Sequence, residues 1–211
     1  QPVARATGAE RDLALFFDSM ERRLPLGLAR DGEPVFANLD FLDGTRGAHV
    51  NISGISGVAT KTSYASFLLH SLFTSGALGG EAANTHALVF NVKGEDLLFL
   101  DQANARLREE DRKAYAKLGL PAESFGSVQI LAPVRKDSPE RLAATGSRSG
   151  GITAFFWTVR ELVVERLLRF LFAETEDGSS QLSFVVDKIE AKLAAAAAAK
   201  GQPGDPWIEV E

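Results

Sequence analysis

One segment constrains this chain more than any other: Asn51-Ile-Ser-Gly-Ile-Ser-Gly-Val-Ala-Thr-Lys-Thr-Ser-Tyr64. Residues 48–52 are apolar, read as a strand, and run into a loop carrying Gly54 and Gly57. The loop closes on Lys61-Thr62, and a helical pattern follows over residues 63–73. A strand, a glycine loop, a Lys-Thr pair and a helix in that order build an anion site. Backbone N–H groups at a helix N-terminus point at the anion, and the helix dipole favours negative charge there. Glycines let the loop curl around phosphate oxygens with φ > 0.

In a P-loop the lysine brings its charge to the β- and γ-phosphates and the following hydroxyl holds Mg²⁺. Those roles fall on Lys61 and Thr62. Gly54, Ser56, Gly57, Thr60, Lys61, Thr62 and Ser63 are the predicted nucleotide-binding residues. The spacing departs from G-x-x-x-x-G-K-[ST]. Counted back from Lys61, the two glycine positions fall on Ile55 and Thr60; counted from Gly54, the loop is one residue too long. Two readings stay open. One is a phosphate cradle; the other is an ordinary strand–turn–helix connection with a solvated lysine and Thr62 as the helix N-cap.

The wider context resembles the HerA/FtsK-type ATPases. The stretch Gly47-Ala-His-Val-Asn-Ile-Ser-Gly-Ile-Ser-Gly57 is similar to the His-Val strand and glycine loop of that family. Further on, His86-Ala-Leu-Val-Phe-Asn-Val-Lys-Gly-Glu-Asp96 is similar to a family strand ending in Asp-x-x-Gly-Glu. Asn91 stands at the Asp position, while Gly94 and Glu95 match. Residues 31–43 look like the linker strand before the motor domain, so the likeness covers residues 31 to 101. The resemblance implies an α/β parallel-sheet P-loop core that binds ATP and Mg²⁺. It also implies a cytoplasmic hexameric ring that moves or remodels double-stranded DNA, with a nuclease-type protein as a partner. The reaction implied is in-line attack of water on the γ-phosphate, with Lys61 and Mg²⁺ neutralising charge. Glu95 would polarise the water or hold the metal. An amide takes no proton at neutral pH, so Asn91 would only orient water or phosphate.

Composition sets limits. The 211 residues suit one ordinary domain, and the start at Gln1 without Met suggests a piece of a longer chain. Net charge is −5, so no global field draws nucleic acid, and any such contact needs a local basic patch. Without cysteine there is no disulfide and no thiolate metal site. No run approaches the ~18 apolar residues of a membrane span, and no signal-peptide pattern opens the chain.

Periodicity predicts a helix over residues 10–23, stopped by Pro25, and a strand over 34–41 after an Asp31-Gly32 turn. Residues 1–30 read as a helical segment and 31–211 as the P-loop domain, truncated at its C-terminal end. Helix 63–73 carries a narrow polar face of Ser63, Ser66 and His70. The apolar run 86–92 suits a buried parallel strand beside 48–52. A solvated helix around 106–117, a strand over 127–133, helices over 159–172 and 184–199, and a strand starting at Trp207 complete the expectation. Strand–helix alternation points to α/β architecture.

Other groups carry less. Asp96 and Asp101 read as caps or surface acids, and the three histidines are scattered. Arg135, Lys136, Arg141 and Arg148 face only Asp137 and Glu140, a local balance of +2. That segment is either a solvated loop or a surface for DNA or a neighbouring subunit. No later strand ends in an Asp-Glu pair, and no arginine stands out as one reaching a neighbour's nucleotide. The isolated segment is therefore expected to hydrolyse little ATP. A competing class is a module that binds nucleotide, or only assembles, without turnover.

Overall fold

The computed structural model describes residues 3–54, 60–92, 94–175, 181–199 and 206–208. It is a mixed α/β chain with two compact units, Gln1–Val128 and Gln129–Glu211.

In the first unit, α1 (Gly8–Ala14) leads to an antiparallel hairpin of β1 (Arg23–Leu28) and β2 (Pro34–Asn38). The hairpin turn is the predicted one. Gly32 supplies the required φ of +80°, and the Asp31 carboxylate accepts the Glu33 N–H at 3.2 Å. The hairpin crosses residue 30, where the helical segment was expected to give way to the P-loop domain. The expected helix over 10–23 is also corrected. Its second half is absent because Phe16 turns the chain at φ +58°, leaving Leu13, Leu15 and Phe16 exposed and sending only Phe17 inward. Phe17 packs edge-on against Phe36, with centroids 5.4 Å apart. Pro25 lies inside β1, not at a helix end. A two-stranded sheet has only edge strands, and the register shift between Pro25 and Gly27 absorbs the missing N–H.

Helix α2 (Thr60–Thr74) packs on β1. Two hydroxyls on one face, two turns apart, tie it down. Tyr64 donates to the Leu26 carbonyl at 3.1 Å and Ser71 to the Pro25 carbonyl at 2.7 Å. His70, expected on a polar face, is buried instead, edge-on to Tyr115 of α3 (Glu109–Lys117) and to Phe125. Arg22 gathers Asp43, Asp40 (3.5 Å) and Glu81 (3.1 Å) around the start of the hairpin.

Two predicted strands do not form. Residues 48–52 and 86–92 have no regular structure and no ladder partner among the described residues. Leu88, Phe90 and Val92 are 79%, 80% and 88% exposed, where the apolar run had implied burial on both faces. A buried parallel strand needs neighbours on either side. Among the described residues the pairings are β1–β2 and, in the second unit, the parallel pair of β3 (Ile130–Pro133) and β4 (Ile152–Phe155).

In that second unit β3 opens three residues later than the expected strand, and β4 was not foreseen. Helix α4 (Val159–Val164) is shorter than its pattern. Arg166 takes φ +55°, and a 3₁₀ segment, Leu168–Thr175, replaces its second half. Helix α5 (Gln181–Ala199) packs against α4, with Val163, Val186 and Ala197 buried. Trp207 and Ile208 are not in a strand, and 209–211 lie outside the described residues.

Candidate functional site

Helix α2 starts at Thr60, three residues before the expected start, so Lys61 and Thr62 sit in its first turn. N–H groups of a first turn have no intrahelical partner and face whatever lies beyond the helix end. Lys61 turns back toward the incoming loop, and its Nζ donates to the Gly54 carbonyl at 3.4 Å. A cavity of about 560 Å³ opens beside it, lined by Ile52, Ser53, Lys61, Ser63, Tyr64 and Phe67. That volume lies in the range of small-molecule sites, about 300–1,000 Å³.

The structure brings together part of the predicted cradle. Gly54 meets Lys61, and Lys61 and Ser63 share the cavity wall. Thr62 is exposed in the same turn, with its carbonyl accepting the Ser66 hydroxyl at 2.9 Å. Ser56 and Gly57 lie outside the described residues, as does the side chain of Thr60. Tyr64 and Phe67 were not among the predicted residues. Their rings stack at 6.0 Å and 19°, forming the apolar wall of the cavity. The signal was present, because positions 61, 64 and 67 recur every three residues and share a helix face.

Asn91 and Glu95 are not among the cavity-lining residues. The Asn91 amide donates to the Gly94 carbonyl at 3.0 Å, and Gly94 takes φ +70°. Glu95 is half-buried and precedes the 3₁₀ turn Asp96–Phe99, with its carbonyl accepting the Leu98 N–H at 3.0 Å. The expected pairing of strands 48–52 and 86–92, which would carry this segment to the P-loop edge, is absent among the described residues.

Among the described residues no three His, Asp or Glu side chains form a metal-ligand cluster. No helix among them is long and apolar enough to cross a membrane. No family model matches the chain, and no curated protein matches it in sequence.

Proposed function

We propose that this chain is the nucleotide-binding domain of a HerA-like ring ATPase with an α/β P-loop core. It couples ATP binding and hydrolysis to translocation or remodelling of double-stranded DNA. The observation that carries this reading is Lys61. It stands in the first turn of a 15-residue helix, its ammonium folded back to the Gly54 carbonyl at 3.4 Å beside an open cavity. An anion at the helix end would meet first-turn N–H groups, the positive end of the dipole and the lysine charge together.

Lys61 and the first-turn N–H groups suit the phosphates of ATP, and the Thr62 hydroxyl in the same turn would be the residue to hold a phosphate-bound Mg²⁺, which would neutralise phosphate charge. ATP supplies the phosphoryl group. Lys61 holds phosphate oxygens, Ser63 borders them, and the Tyr64–Phe67 wall excludes water from one side. In a hexamer the neighbouring subunit would contribute the remaining charge.

One observation favours a second reading, nucleotide binding without turnover. Asn91 stands where the family carries an acid and is engaged by the Gly94 carbonyl. ATP hydrolysis by the full-length protein, with and without linear duplex DNA, separates the two. DNA-stimulated turnover abolished by Lys61→Ala supports the motor. ATP binding with no turnover in either condition supports the second reading. Absence of both contradicts each.

A further inference from the structure

The second unit carries a different kind of surface. β3 and β4 are parallel, so both deliver their carboxyl ends to one edge. Ligands in parallel sheets gather at that edge. Leaving β3, the chain runs through Val134 to Arg135 and Lys136; leaving β4, it runs through Phe156 and Trp157. The Val134 N–H donates to the Phe155 carbonyl at 3.2 Å, so the two exits lie side by side. A returning segment folds over them. Val134 bridges Ala143 antiparallel, and the Arg135 N–H donates to the Leu142 carbonyl at 2.7 Å. That segment carries Arg141, whose guanidinium lies 4.4 Å from the Phe156 ring centroid. Trp157 rests edge-on against Phe155 at 5.5 Å and remains 57% exposed; Phe156 is 41% exposed.

Charge and aromaticity therefore coincide. The segment holds a local balance of +2 in a chain of net charge −5. We propose that this edge binds single-stranded nucleic acid. Trp157 offers a ring face for a base beside the Phe156 ring that Arg141 covers, and Lys136, Arg141 and Arg135, whose guanidinium also donates to the Thr145 carbonyl at 3.0 Å, neutralise phosphates. Unpaired bases can stack on exposed aromatics whatever their sequence, while cations track the backbone. A duplex hides its bases and would meet only the charges. An acidic protein would do the same. The proposal uses residues of the second unit alone and does not rest on the nucleotide site.

The test uses the whole chain with Trp207→Phe, so that Trp157 is its sole indole, and a fluorescein-labelled oligothymidylate. We expect binding by anisotropy that weakens as salt rises, with quenching of Trp157 fluorescence. Trp157→Ala should lose about tenfold in affinity, as one stacked base is worth, and Trp157→Phe should recover most of it. Arg141→Ala should weaken binding and flatten the salt dependence. The proposal is overturned by any of three results: no binding at low salt, unchanged affinity in Trp157→Ala, or equal competition by duplex DNA or polyglutamate with Trp157 fluorescence unmoved.

Discussion

The Ser71 hydroxyl donates to the Pro25 carbonyl at 2.7 Å, both residues buried, and this bond fastens helix α2 to strand β1. The helix that carries Lys61 is thus anchored by a polar contact inside the core. Removing the hydroxyl strips a buried carbonyl of its partner, which costs about 1–3 kcal/mol. Urea unfolding of Ser71→Ala should show a loss in that range with an unchanged m-value. A loss within error of zero would mean that α2 is held by its apolar contacts alone.

His70 makes stability depend on pH. It is 5% exposed, and its Nδ1 lies 3.4 Å from the Thr74 hydroxyl. Burial pushes the imidazole below its ordinary value, and the Glu123 backbone and carboxylate offset only part of that. The unfolded chain therefore takes up the proton more readily than the native one. Stability is complete above the ordinary imidazole value of about 6.5 and is lost as pH falls through it toward the native value. His70→Phe should show a smaller drop between neutral and mildly acidic pH than the parent. Parallel curves for the two proteins would refute this.

Thr158 caps α4. Its hydroxyl accepts the Glu161 N–H at 3.1 Å, and the Glu161 carboxylate accepts the Thr158 N–H at 2.7 Å. Those bonds hold the Glu161 carboxyl below the usual carboxylate range, the Thr158 backbone N–H contributing most. Thr158→Ala should cost about 1 kcal/mol and Thr158→Ser only a fraction of it. Amide exchange at Glu161 reads the cap directly: protection should fall in the alanine variant and persist in the serine variant.

What the sequence made legible follows from how local each signal is. The Asp31-Gly32 turn, helix α2 and helix α5 rest on turn chemistry and on periodicity within a dozen residues, and each formed close to its expected place. The strands over 48–52 and 86–92 failed because an apolar run states a need for burial without naming its partner. Among the described residues no neighbouring strand meets either run, and Phe90 stays 80% exposed. Helix 10–23 failed because its apolar side chains satisfied a period that the turn at Phe16 interrupts. At the candidate site, Lys61 and Ser63 were readable from the motif, whereas the Tyr64–Phe67 wall depended on which helix face meets the loop.

A nucleotide site at the start of α2 depends on Lys61. The most direct measurement is titration calorimetry of the chain with ATP in the presence of Mg²⁺, comparing the parent protein with Lys61→Ala. A charge-assisted contact to phosphate is worth about 1.5–3 kcal/mol. We expect saturable binding by the parent and a loss of about tenfold or more in the variant. Equal affinity in the two proteins, or no binding by the parent, would contradict it.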